Sequence, residues 1–425
     1  MPATATVLRP TWILSAAMLL ACSPDADQAD RASPPPQALA APFGAVREIA
    51  SPAAAGSITP FLAAGSDGSV IMSWQEPDGP GHAIRMARLS GTIWSEPRTI
   101  VRDTDLFVNW ADFPSVLELP DGSLAAHWLQ REGPGTYAYG VRIARSSDDG
   151  RTWSEPVTPH LDGTLTEHGF VSLFPEREGW LGAVWLDGRD YARGEEAAAA
   201  DAPEGEMSLR YAAIGPDGEI RSAMLLDGRA CDCCQTDVAL AAGDPLIVYR
   251  DRTEAEIRDI AIVRRLDGNW TPPTSVHEDG WHIPACPVNG PAVAASGERV
   301  SIAWYTAADA VPAVKVMFSG NAGTDYGQPI RVDEGQPLGR VDLLLLADGS
   351  AIVLWLETTA AGAALLARRV RADGSTSPAA TLGLTDVGRS SGFPRMARRG
   401  AELVLAWTDP AAGTLRTAVA PLRGE

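Results

Sequence analysis

Cys231, Cys233, Cys234 and Cys286 are the densest set of reactive side chains in the sequence. The Cys-x-Cys-Cys spacing with a distant fourth cysteine permits two chemistries. One is one or two disulfides, including a vicinal pair. The other is a thiolate site for a soft metal, copper or zinc, with His168 or His282 nearby. Cys-x-Cys-Cys is not a standard zinc spacing, so both stay open. A second set is cationic. Arg189, Arg250, Arg252, Arg340 and Arg395 sit in short polar phrases such as Arg250-Asp251-Arg252 and Gly339-Arg340-Val341-Asp342. The chain has 54 acidic and 35 basic residues, a net charge of −19. Arginines that converge on one face would therefore make a local anion site on an acidic molecule. The same balance excludes nucleic acid as a partner. Walker, dinucleotide, Gly-x-Ser-x-Gly and His-Glu-x-x-His patterns are absent, which leaves nucleotide, esterase and zincin chemistry without support.

The elements that must position these residues are repeats. An apolar strand ending in an aromatic recurs at Trp74, Trp128, Trp185, Tyr249, Trp304, Trp355 and Trp407, at intervals of 51 to 64 residues. Each copy follows a shorter apolar strand and a tight turn such as Asp67-Gly68, Asp121-Gly122 or Asp348-Gly349. All but the last continue into a third strand, a second turn and a fourth strand. Four antiparallel strands per roughly 50 residues, repeated, is the blade of a β-propeller. The expectation is an all-β fold of seven four-stranded blades, with six as the alternative. The blades are placed near 58–101, 110–160, 169–227, 231–279, 289–335, 339–384, and 391–422 with 43–50. The strand in 43–50 supplies the piece missing from the last blade and closes the ring. The acidic, Ala-rich stretch from Glu195 to Glu206 reads as a solvated insertion.

The N-terminus carries Arg9 and then a short apolar run, Trp12 to Leu20, too short to span a bilayer and suited to a signal peptide. Leu19-Leu20-Ala21-Cys22 resembles a bacterial lipoprotein box, with Ser23 at the following position. That resemblance implies a signal in 1–21, lipidation of Cys22 and an outer-membrane anchor. Residues 22–42 read as a disordered tether and 43–425 as one propeller domain.

Ser146-Ser147-Asp148-Asp149-Gly150-Arg151-Thr152-Trp153 matches the Asp-box turn, and Ser319 to Tyr326 is a degenerate second copy. The chain thus resembles the bacterial sialidase-like (BNR-repeat) propellers. Sialidases bind the sugar carboxylate with three arginines and use a tyrosine nucleophile supported by a glutamate, with an aspartate as acid/base. By that resemblance Arg250, Arg340 and Arg395 are the carboxylate clamp, with Arg252 and Arg189 in reserve. Tyr305 is the nucleophile, Glu357 its support, and Asp112 or Asp187 the acid. The loops entering the blades add His168, Asn289 and Trp110 to the substrate face, and Trp281 lies beside it. They include Glu167-His168-Gly169-Phe170 and Cys231 to Thr236. The family's Arg-Ile-Pro phrase is missing. The expected function is an exported exo-sialidase or related glycosidase acting on an anionic glycan, as a monomer, with no required cofactor. The alternatives are a non-catalytic glycan- or protein-binding propeller and a periplasmic metal-handling lipoprotein.

Overall fold

The computed structural model describes Met1, Pro2 and residues 38–196 and 205–424, without the side chains of 193–196. The fold is that of the unit Pro36–Glu425. The signal peptide, Cys22 and most of the tether lie outside the described residues. The far end of the expected tether already touches the propeller, because the Leu39 N–H donates to the Thr376 carbonyl at 3.0 Å.

Seven antiparallel sheets follow one another along the chain. Their first strands are Ile58–Ala64, Ser115–Glu118, His168–Pro175, Asp237–Ala241, Ala292–Ser296, Pro337–Leu345 and Arg395–Arg399. Residues of, or next to, all seven line one central cavity of about 180 Å³, which defines the hub. Seven apolar clusters pack between neighbouring blades. One joins Ile71 and Ile84 of blade 1 to Leu124 and Trp128 of blade 2. Another joins Leu62 and Trp74 of blade 1 to Val404 and Leu415 of blade 7, so the circle is complete. Each core is built from the inward faces of two adjacent sheets rather than from one sheet folded on itself.

The recurring aromatics are the largest fully buried side chains; Trp74, Trp185, Trp304, Trp355 and Trp407 are among them. A buried indole N–H needs an acceptor. Trp74, Trp185 and Trp355 find it two residues on, at Glu76 (2.8 Å), Asp187 (2.7 Å) and Glu357 (2.6 Å). Trp304 uses Asp279, at 2.6 Å.

Blade 7 is closed by Arg47–Ile49, which pairs antiparallel with Thr414–Pro421. Blade 2 departs from the four-stranded plan. Its fourth strand is reduced to a bridge between Ile143 and Val157. A short helix, Arg189–Glu196, leads into the insertion expected over Glu195 to Glu206, of which residues 197–204 lie outside the described residues. The two Asp-box-like turns share one hydrogen-bond pattern. Ser146 Oγ accepts from the Gly150 N–H, and Asp148 accepts from the N–H groups of Arg151 and Thr152. Ser319 and Asn321 repeat this with Gly323 and Asp325. Gly150 and Gly323 both lie at φ +77°, which a Cβ would disfavour.

Candidate functional site

Strand register decides which loops share a face. His168 pairs with Asp187 and Pro337 with Glu357, so the start of a first strand lies beside the end of the second. The loops entering the blades and the loops after the second strands therefore crowd one end of the ring, as their sequence phase predicts.

The three arginines expected to clamp a carboxylate each have partners within the protein. Arg250 is 1% exposed. It donates to the carbonyls of Asn289 (3.0 and 2.8 Å), Arg258 (2.6 Å) and Tyr305 (2.7 Å) and lies 4.8 Å from the Trp281 ring. Arg340 donates to Ser391 Oγ and to the carbonyls of Gly392 and Gly388, with Trp110 at 5.2 Å. Burial and the Arg389 charge push its guanidinium down to about 10. Arg395 lines the central cavity, 4.1 Å from the Phe113 ring and 3.9 Å from Asp342. Of the five N–H donors of a guanidinium, Arg250 spends four and Arg340 three on protein oxygens, whereas Arg395 Nε is buried without a hydrogen-bond partner. Asn289 joins two of these residues, since its Oδ1 also accepts the Arg340 N–H at 2.7 Å.

The residues expected to be catalytic are engaged in the protein's own contacts. Glu357 accepts from Trp355 Nε1 and from the N–H groups of Glu334 (3.0 Å) and Gln336 (2.7 Å). Its carboxylate holds a loop and does not support Tyr305. The Tyr305 ring stands edge-on to Trp281 at 5.6 Å, and burial raises its phenol above the ordinary range. Asp187 accepts from Trp185 and, at 2.7 and 2.6 Å, from Arg189. Asp112 is 2% exposed and caps the Phe170 N–H at 2.9 Å. Asp237 and Asp342 do the same for Val293 and Met396, each tying the first strand of one blade to that of the next or to its approach. Trp110 is flanked by Phe393, Arg340 and Arg389, and Trp281 is buried, so neither offers a free stacking face. Arg252 is paired with Glu256 at 2.7 Å.

His168 is buried. Both ring nitrogens have acceptors, Thr166 O at 3.1 Å and Asp162 Oδ2 at 3.2 Å. Burial opposes its charge, but Asp162 and Asp187 outweigh it and raise the pKa. His160 stacks on it at 3.8 Å and uses Nε2 to accept the Val141 N–H. His160, Asp162 and His168 lie close enough to hold an ion.

What the loops do build is a cleft of about 460 Å³ between blades 2, 3 and 4. It is lined by Tyr137, Leu165, Glu167, Tyr191 and Asp232. At its edge Glu167 accepts a hydrogen bond from the Tyr139 hydroxyl. Burial, with Asp232 adding repulsion, raises Glu167 to about 7 despite that bond. The Tyr139 ring is held by Phe107, 3.8 Å away and nearly parallel. Tyr191 donates to Asp232, which also faces Arg258 at 3.4 Å and Arg252 at 3.6 Å. Tyr137 is 64% exposed and Leu165 60%, an apolar lip on a polar cleft. Sequence phase places Glu167 on this face; nothing local reveals its partner, which comes from the third strand of blade 2.

The cysteines converge. The thiols of Cys231, Cys233 and Cys234 lie within 4.8 Å of one another, and Cys231 Sγ is 3.5 Å from Cys234 Sγ. Cys286 reaches Cys233 from the neighbouring blade. All four are free thiols.

No protein-family model matches the chain, and no curated protein matches it. Solved structures do. A protein of unknown function from Dyadobacter fermentans superposes with TM-score 0.52 at 13% identity, covering 89% of this chain and 97% of its own. The polysaccharide lyase Uly1 gives TM-score 0.52 at 10% identity, covering 85% and 89%. NanB sialidase from Streptococcus pneumoniae gives 0.44 at 12%, covering 90% and 71%. At these identities the likeness is one of fold alone, and the fold of this chain is a seven-bladed β-propeller.

Proposed function

We propose that the protein is a glycan-cleaving propeller enzyme that works in the Glu167 cleft. The observation that carries this is a carboxyl raised to about 7, set at the edge of an open cleft and held by a tyrosine. Such a group is half-protonated near neutrality, the condition that suits general acid catalysis. Asp232 lines the same cleft as a second carboxylate and is held by Tyr191 and two arginines. A pair of carboxyl groups is the usual apparatus for breaking a glycosidic bond. Glu167 gives its proton to the leaving oxygen, and Asp232 steadies the positive charge that develops on the sugar or activates a water. Tyr137 offers a stacking surface for a sugar ring at the lip. The polysaccharide lyase Uly1 shares the fold, so carbohydrate chemistry is within the range this scaffold supports. Among glycan-cleaving activities, an exo-sialidase is the weaker fit, because two of the arginines that would hold its substrate's carboxylate, Arg250 and Arg340, are tied to backbone carbonyls.

The test is turnover of a panel of neutral and acidic polysaccharides, with a fluorogenic sialoside included. Glu167→Gln should lower kcat about 100-fold or more on whichever substrate is cleaved. Binding of glycans with no cleavage by the wild type would instead support the non-catalytic binding propeller. Cleavage of the sialoside that is lost in Arg340→Ala but not in Glu167→Gln would sink the assignment of the cleft.

The export signal and the anchor at Cys22 complete the reading: we place the enzyme outside the cytoplasm on a lipid anchor in the outer membrane. The support is the sequence from Arg9 to Ser23 alone. Mass spectrometry of the mature N-terminus tests it; an unmodified Cys22 would remove the anchor.

A further inference from the structure

Two loops that enter adjacent blades bring three thiols, Cys231, Cys233 and Cys234, within 4.8 Å of one another, with Cys286 approaching Cys233 from the second loop. Cys231, Cys233 and Cys234 open blade 4, and Cys286 precedes blade 5. We propose that these four cysteines bind one thiophilic d10 cation, Zn(II) or Cu(I), as a site separate from the Glu167 cleft.

The spacing fits an ion better than a covalent bond. With a zinc–sulfur distance of about 2.3 Å, a tetrahedral site has sulfur–sulfur edges of roughly 3.8 Å. The Cys231–Cys234 separation is 3.5 Å, and the three blade-4 thiols stay within 4.8 Å. A disulfide would need about 2.05 Å between one pair and would break up the cluster. Three mutually adjacent sulfurs also single out no pair.

The surroundings are built for thiolates. Arg258 Nη1 donates to Cys231 Sγ at 3.1 Å, and the Asn289 N–H donates to Cys234 Sγ at 3.4 Å. Asn289 is itself fixed through Arg250. Four thiolates around a cation leave a net negative centre, and Arg258 supplies opposing charge in direct contact. Asp232 interrupts the cysteine run, but Tyr191, Arg252 and Arg258 hold its carboxylate for the neighbouring cleft. Burial is graded: Cys231 and Cys234 are buried, Cys233 is intermediate and Cys286 is exposed. An ion can therefore meet Cys286 first and pass inward to the buried pair.

The experiment uses the full chain, purified without reductant and again after anaerobic reduction. Zn(II) alone, and Cu(I) alone, are titrated against a chromophoric competing chelator, with native mass spectrometry and a count of reactive thiols. One equivalent of ion per chain is expected, with the thiols protected when it is bound. Cys233→Ser and Cys286→Ser, which disturb the least buried positions, should each weaken binding about tenfold or more while the thermal melt shows them folded. The ion retained by the protein purified without reductant identifies which of the two the site holds. A mass showing two disulfides in that protein would overturn the proposal. So would affinity for both ions equal to that of the serine variants.

Discussion

Arg250 grips the main-chain carbonyl of Asn289 with two nitrogens, Nε at 3.0 Å and Nη2 at 2.8 Å. This fastens the second strand of blade 4 to the entry of blade 5. The clamp is buried, so its loss strands several acceptors at once. Arg250→Ala should destabilise the protein by about 3 kcal/mol or more, because hydrogen bonds to charged groups are worth about 1.5–3 kcal/mol each and the freed carbonyls stay desolvated. Chemical denaturation measures it. An unchanged midpoint together with lost substrate binding would return Arg250 to a substrate role.

Glu167 gives a pH signature. Its folded pKa is about 7, above the ordinary 4.5. A folded carboxyl with a raised pKa contributes stability that is complete below the unfolded value and is lost as pH rises through the folded one. Between about pH 4.5 and 7 the wild type should therefore lose stability relative to Glu167→Gln, which cannot ionise. The difference in melting temperature, variant minus wild type, is expected to grow across that window and level off above it. A difference that does not change with pH would mean Glu167 is not raised.

Tyr305 and Glu357 should behave as structural residues. Tyr305→Phe is expected to leave turnover within about twofold of wild type, since the hydroxyl is assigned no part in proton transfer. Glu357→Ala leaves Trp355 Nε1 and two backbone N–H groups without their acceptor. At about 1–3 kcal/mol for a buried group so abandoned, the thermal midpoint should fall clearly. A stable Glu357→Ala with abolished turnover would restore its catalytic reading.

Gly290 marks the tightest approach of chain to chain near the hub. A Cβ there would come within 2.1 Å of the Gln235 carbonyl oxygen, which is backbone and cannot swing away. Gly290→Ala should cost about 1–3 kcal/mol or more, by the scale of overpacked interiors. It should also disturb Asn289 and hence the cysteine cluster. Equal stability of the variant would show that blades 4 and 5 can part without penalty.

The propeller was legible because its signals repeat. An aromatic at a fixed strand position, a turn before it and a missing last strand are one-dimensional facts, and Trp74 through Trp407 occupy the expected seams. The face was legible too, since phase along a blade sets which end a loop occupies. What each side chain does there was not. Arg250 and Arg340 sit at the phase of ligands, yet main-chain carbonyls of the next blade's entry take part of their donors. Glu357 and Asp187 belong to a Trp-x-acid pattern shared with Glu76, and that recurrence marks them as acceptors for buried indoles. Tyr139 and Glu167 are 28 residues apart, on a strand and a loop, and no spacing rule joins them. The cysteines were the exception: two loops at the same phase of adjacent blades must be neighbours, and they are.

The strand Arg47–Ile49 reaches its partner across almost the whole sequence; Glu48 and Arg416, paired at 3.0 Å, are 368 residues apart. In a chain made from its N-terminus, the earliest propeller strand is therefore the last to be seated. Six blades can form as the chain emerges, but residues 47–49 must stay unclaimed until Thr414–Pro421 has been made. Completion of the ring is in this sense a checkpoint on full-length synthesis. A product truncated before residue 414 keeps two unsatisfied sheet edges and is left open to proteolysis or misassembly.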